Sequence, residues 1–199
     1  MAQIVDHEER RGAIIAAATE LILSGGFGAA TMRTIAARAG YANGALKYYF
    51  PGGKSEIIAA IFTNTLREIE SMAGTQNTGN TSQDLRHYLR SWFPRSVEEL
   101  PSGRLLIELW GHSLTDESLR ELYSAHLAHW GAQIAAQIEA AHAVGAVLAA
   151  PPFEDMASEY ISFTMGTAVM NLMFPDGSHL SDIEHYLDGV LLRLGTPDA

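Results

Sequence analysis

The stretch Thr31-Met32-Arg33-Thr34-Ile35-Ala36-Ala37-Arg38-Ala39-Gly40-Tyr41-Ala42-Asn43-Gly44-Ala45-Leu46-Lys47-Tyr48-Tyr49-Phe50 reads as two short helices joined by one tight turn. Thr31 has the side-chain oxygen that a helix start needs to satisfy a free backbone amide. Met32, Ile35, Ala36 and Ala39 then recur at helical spacing and make one apolar face. Gly40 stops this helix, because glycine enters the left-handed conformation without steric cost. A second segment, Asn43 to Phe50, carries Leu46, Tyr48, Tyr49 and Phe50. Ala36 is small enough for two helices to cross, and Leu46 closes the core between them. This is the spacing of a helix-turn-helix.

Working outward, Ile14, Ile15, Ala18, Leu21 and Ile22 form an apolar stripe on a preceding helix. Asp6 and Glu9 are expected to cap its start and Gly25-Gly26 to end it. Downstream, Pro51-Gly52-Gly53 breaks the chain before a long helix from Lys54 to Met72, and Gly74 to Ser82 reads as a polar loop. Further helices are expected over Ser82–Glu99, broken near Pro94, then Pro101–Leu114, Asp116–Val144, Pro152–Met173 and Ser181–Leu194, the last opened by a Ser181/Glu184 capping box. No segment alternates at period two. The fold class is all-α, with a small three-helix unit over residues 1–53 and a larger helical body over 54–199.

The 199 residues are 47% hydrophobic, which supplies a core and excludes a disordered chain. There is no cysteine, so disulfides, thiolate metal sites and a cysteine nucleophile are excluded. The formal charge of −10 opposes a phosphate-covered partner only as an average. Between Leu21 and Ser55 there is no Asp or Glu, whereas Arg33, Arg38, Lys47 and Lys54 all fall there. Residues 1–60 hold six basic and five acidic side chains, so the rest of the chain carries −11. The apolar runs Ala13–Ala18 and Gly145–Phe153 are well short of the ~18 residues of a membrane span, and the charged start lacks a signal-peptide core. A cytoplasmic protein without a membrane partner is expected.

Gly26-Phe27, Thr31 to Ala36, Ala39-Gly40, Gly44 to Phe50 and Lys54 together resemble the DNA-binding domain of the TetR family of transcriptional regulators, over about Glu9 to Leu66. The later helices match that family in number, length and order. The resemblance implies a homodimer whose third helices enter successive major grooves of a two-fold DNA operator. It further implies that Thr31 and Arg33 meet phosphates, that Tyr41, Ala42, Asn43, Gly44 and Lys47 lie at or near base edges, that Tyr48 and Tyr49 contact the backbone, and that Lys54 holds a phosphate. The chemistry agrees, since Asn pairs with an adenine edge and Lys donates to guanine or phosphate. The chain departs from the family pattern at Ala42, where a hydroxyl cap is usual, at Lys47, where Tyr is common, and in a turn one residue longer at Pro51-Gly52-Gly53. Gly53-Lys54-Ser55 imitates the end of a P-loop, but Tyr48 stands where its first glycine belongs.

In the body, aromatic residues at helical spacing suit plain core or, in a TetR-like body, the lining of a pocket for a small apolar or aromatic effector. The candidates are Trp92, Glu108, Trp110, His112, Tyr123, His126, Trp130, Phe163 and Asn171, with Glu108, His112, His126 and Asn171 as polar anchors. Phe163, Gly166, Met170, Ile183, Tyr186, Leu187, Val190, Leu191 and Leu194 are candidates for the dimer face that the resemblance implies, with intramolecular packing as the other reading. His126 and His129 lack a third ligand at metal spacing, and no nucleophile elbow or carboxylate pair appears, so no metal, cofactor or catalytic site is expected. The functional expectation is a repressor released from a palindromic operator by its effector. The alternatives are an all-α carrier, or a ligand-insensitive or activating DNA-binding protein of the same fold.

Overall fold

The computed structural model describes residues 2–72, 78–174, 176–180 and 182–196, with side chains from residue 7 onward except that of Met72. Its helices are α1 (Ala2–Ala29), α2 (Met32–Ala39), α3 (Asn43–Tyr49), α4 (Lys54–Met72), α5 (Thr81–Arg90), α6 (Leu100–Ser113), α7 (Glu117–Ala143), α8 (Phe153–Met173) and α9 (Asp182–Leu194). The described residues contain no strand, and the chain is all-α. Two compact units form, one from Met1–Arg67 with Arg104–Tyr123 and the other from Glu68–Gly103 with Ser124–Ala199. Helices α4, α6 and α7 each contribute to both.

In the first unit, Ile14, Ala18 and Ile22 of α1, Ile35 and Ala36 of α2, Leu46 of α3, Phe50 just after α3 and Ile57 of α4 form one core. Leu105, Leu109 and Leu119 from α6 and α7 join it. Thr31 opens α2 with a reciprocal cap: its hydroxyl accepts the Thr34 amide at 3.1 Å, and the Thr34 hydroxyl oxygen accepts the Thr31 amide at 2.8 Å. Gly40 closes the helix at φ 76°, donating to the Ala37 carbonyl while Tyr41 donates to that of Ala36. These two bonds satisfy the last carbonyls of the helix, and the left-handed residue they need is why glycine stands there.

Two expectations about α1 change. The helix begins at Ala2, so Asp6 lies within it and does not cap it. Gly26, at φ 69° and ψ −177°, is the break, while Gly25 stays helical. By length and composition alone, α1 over His7–Ala29 is apolar enough to cross a membrane, its most apolar 18-residue window averaging a hydropathy of 1.5. Thr19, Glu20 and Ser24 interrupt its apolar runs, so no single run reaches that length. Its Ile14, Ala18 and Ile22 side chains are buried in the first core.

In the second unit, α5, α7, α8 and α9 surround Leu89, Ile134, Ile138, Ile183 and Leu187. Arg86 ties α5 to α9 through Glu184 at 2.9 Å and Asp188 at 2.5 Å, and Arg90 adds a second bond to Glu184. The Tyr160 hydroxyl donates to the Leu89 carbonyl, and burial pushes its ionisation far above the usual phenol range. Helix α5 is shorter than the expected Ser82–Glu99. Asn80 caps it, accepting the Ser82 and Gln83 amides, and it ends at Arg90, four residues before Pro94, because proline keeps the preceding residue out of the helical region. A 3₁₀ turn at Val97–Glu99 then leads into α6. Asp116 caps α7 through the Leu119 amide at 3.1 Å. The expected Ser181 cap, and residues 74–77 of the expected Gly74 to Ser82 loop, lie outside the described residues.

Candidate nucleic-acid interface

Helix α3 is seven residues long and is held by what surrounds it. Leu46 and Phe50 are fully buried beneath it. From α1, Arg11 donates to the Tyr49 carbonyl, lies 4.0 Å over the Phe50 ring and reaches Glu56 at 3.3 Å. Arg10 donates to the Tyr49 hydroxyl, and His7 sits edge-on to Tyr48 at 5.8 Å. No sequence motif announces this brace. Its signal is one of spacing: residues 7, 10 and 11 are three and four apart and so share one face of α1.

The braced helix presents an open surface. Ala42, Asn43, Gly44, Lys47 and Tyr48 are exposed, Tyr48 to 71%, and so are Thr31 and Arg33 at the start of α2. Tyr41 is half-buried against Tyr49. Ala42 makes no side-chain cap, as its missing hydroxyl implies. A Cβ placed on Gly44 would meet no atom within 4 Å beyond its own stretch of helix, so nothing among the described residues requires glycine there.

The structure sorts the basic residues of the acid-free stretch. Arg38 is paired with Glu20 at 2.9 Å, outside that stretch in sequence. Lys54 donates to the Phe27 carbonyl at 2.9 Å, and partial burial lowers its ammonium below the ordinary lysine range. Arg33 and Lys47 have no hydrogen-bond or ion-pair partner among the described residues. Two cations therefore face outward from the helix-turn-helix without an acid to neutralise them. Tyr49, 8% exposed, belongs to the core with its hydroxyl and carbonyl both engaged, so only Tyr48 of that pair stands on the open face.

The nine pocket candidates fall into the two units. In the first, His112 stacks on Phe27 at 4.4 Å and Trp110 on Tyr123 at 6.2 Å, with Glu108 half-buried on α6. Burial pushes the Tyr123 phenol up to about 12. The gap among Phe62, Leu109, Ser113, Leu119 and Tyr123 holds about 10 Å³, room for no more than a water. In the second unit, the Trp92 and Trp130 rings lie 4.7 Å apart, and His126 stacks on Trp130 while its Nδ1 stands 3.8 Å from Glu70. Glu70 was absent from the sequence candidates, since no spacing rule links residues this far apart. Phe163 and Asn171 line a groove of about 290 Å³ with Gly166, Thr167, Met170, His179 and Tyr186.

The candidates for the dimer face also divide, and part of that expectation is corrected. Ile183, Leu187, Val190, Leu191 and Leu194 are at most 8% exposed because they form the inner face of α9 against its own protomer. They leave a partner little surface to touch. Gly166 is exposed, Met170 is 48% and Tyr186 42% exposed, and Phe163 is half-buried.

Comparison with known proteins gives two family matches. The model for bacterial regulatory proteins of the tetR family matches residues 14–61, and the model for the C-terminal part of the BetI-type transcriptional repressor matches residues 82–194. Among curated proteins none matches the chain. Solved structures share the fold. A Rhodococcus sp. protein described as a TetR-family transcriptional regulator superposes with a TM-score of 0.81 at 21% identity, over 94% of this chain and 98% of its own. A TetR transcription regulator from Haloarcula marismortui gives 0.79 at 15% identity, over 94% and 98%. A transcriptional regulator from Saccharomonospora viridis, solved with choline, gives 0.75 at 19% identity, over 92% and 95%.

Proposed function

The chain belongs to the TetR family of bacterial regulatory proteins, and on that premise we propose that it is a cytoplasmic homodimeric repressor released from a palindromic operator by a small molecule. Residues 1–53 read DNA, and residues 54–199 receive the effector and pair the protomers. The observation that carries the reading is the open face of α2 and α3. Arg33 and Lys47 are unneutralised there, Asn43 and Gly44 start the recognition helix, and Tyr48 is free to meet a phosphate. Cations fix the register on the phosphates, and the side chains at the start of the recognition helix specify the bases. The −11 carried outside residues 1–60 keeps the body away from the duplex.

Two copies bind together when their recognition helices match half-sites about 34 to 36 Å apart. An effector with higher affinity for another spacing shifts the population away from that state. Helix α4 runs from Lys54 into both units and is the route by which the shift passes. Selection of binding sequences from random duplexes tests the proposal. It predicts a two-fold site with that half-site separation, which a direct or absent repeat would contradict.

For the effector, the sequence points to a small apolar or aromatic molecule. An organic cation is a second reading, favoured by the paired Trp92 and Trp130 rings and by His126, which stacks on Trp130 and stands 3.8 Å from the Glu70 carboxylate, since aromatic faces attract quaternary ammonium groups. The BetI-type match and the choline in the Saccharomonospora relative support the same class. Release of bound DNA by choline, lost in Trp130→Ala, supports the cation. Release by neutral aromatics alone supports the first reading.

A further inference from the structure

Asn171 is 2% exposed, and both its amide nitrogen and its amide oxygen are buried without a hydrogen-bond partner among the described residues. Leaving both halves of a buried amide unsatisfied is costly, and native chains rarely do so without a reason. Asn171 belongs to the wall of the α8–α9 groove, which Met170 and Tyr186 also line. Met173 at the end of α8 and Phe174 just after it, 69% and 39% exposed, continue the apolar surface. At about 290 Å³ the groove falls just short of the ~300–1,000 Å³ found for small-molecule sites, and it opens on solvent among large apolar residues.

We infer that the groove is filled by Tyr186 of the partner subunit, whose hydroxyl pairs with the Asn171 amide, and reciprocally. A phenol donates one hydrogen bond and accepts others, so one hydroxyl can serve both the oxygen and the nitrogen of the amide after a side-chain rotation. Two-fold symmetry makes the exchange self-consistent: if residue 186 enters the groove of the other copy, its own groove receives residue 186 in return. The electrostatics permit the approach. The two acids nearest Tyr186 along α9, Glu184 and Asp188, are already bound to Arg86 and Arg90 within the protomer. A buried polar pair of this kind fixes which register two apolar helix faces adopt. The inference rests on the homodimer reading above and adds to it the pair of side chains that completes the interface.

The test is a double-mutant cycle on the dimer dissociation constant, measured by sedimentation over a wide concentration range. Tyr186→Phe removes only the hydroxyl and is expected to weaken the dimer by about tenfold or more, because two buried amides lose their partners. In an Asn171→Leu background the same change is expected to matter less than about twofold. Circular dichroism checks that each variant is helical, and Asn171→Ser replaces the Leu variant if that one is not. Equal effects of Tyr186→Phe in both backgrounds overturn the pairing and leave the dimer standing. An unchanged dissociation constant with a lower, concentration-independent melting temperature places the bond inside one protomer and also overturns it. A wild-type chain that stays monomeric throughout overturns the dimer reading itself. A small molecule held in the groove of the purified dimer, seen by native mass spectrometry, gives the groove to a ligand and overturns the inference too.

Discussion

Tyr48 and Tyr49 are neighbours in sequence, and their rings meet edge to face at 5.0 Å and 88°, yet one is 71% exposed and the other 8%. The ~100° step between successive residues of a helix puts the first on the open face of α3 and the second in the core. Their roles therefore separate. Tyr49→Ala is expected to destabilise the chain by about 3 to 5 kcal/mol, as removal of a buried aromatic does. Tyr48→Ala is expected to change stability by under about 0.5 kcal/mol while weakening DNA binding. Thermal melts and DNA titrations of both variants check this, and the reverse pattern would contradict it.

Gly44 has open space where a side chain would begin. Gly44→Ala is expected to leave the fold intact and to stabilise it by up to about 1 kcal/mol, since alanine favours helix over glycine. If the DNA backbone or a base edge comes close at this point, the added methyl lowers DNA affinity at the same time. A variant that melts higher and binds more weakly fits; unchanged affinity removes Gly44 from the interface.

Lys54 holds the carbonyl of Phe27, the residue after the break in α1. Lys54→Met keeps much of the aliphatic stem and loses the donor, so a loss of about 1 kcal/mol of stability is expected, measured by chemical denaturation. An unchanged midpoint would show that the bond does not secure the end of α1.

Burial lowers the His126 imidazole below its ordinary value, with His129 adding to the effect and Glu70 opposing it. The folded chain then binds a proton less readily than the unfolded chain. Stability from this group is complete above the unfolded value near 6.5 and falls as pH drops through it towards the lower folded value. His126→Gln is expected to flatten the melting temperature between about pH 5 and 7 relative to the wild type. An identical pH dependence in both would contradict the assignment.

Local signals carried the helix-turn-helix. Thr31, Gly40 and the Ile35, Ala36 and Leu46 core were legible because capping, left-handed glycine and helical spacing act over a few residues. The end of α5 at Arg90 is not legible in the sequence, because a proline ends a helix somewhere before itself and the sequence does not say how far. The apolar stripe of α9 from Ile183 to Leu194 could face its own protomer or a partner. Periodicity reports that a face is apolar and not what covers it. Likewise, charge counting found Arg33, Arg38, Lys47 and Lys54 together, but only three-dimensional packing separates Arg38, paired to Glu20, from Lys47.

That separation gives the most direct test of DNA recognition by the α2–α3 face. Affinity for the selected operator is measured as a function of salt for the wild type, Lys47→Ala, Arg33→Ala and Arg38→Ala. Each lysine or arginine that neutralises a phosphate contributes about one unit to the logarithmic salt slope. The slope is predicted to fall by about one in Lys47→Ala and in Arg33→Ala, and to stay unchanged in Arg38→Ala, whose charge already belongs to Glu20. Unchanged slopes for both Lys47 and Arg33 would contradict the account.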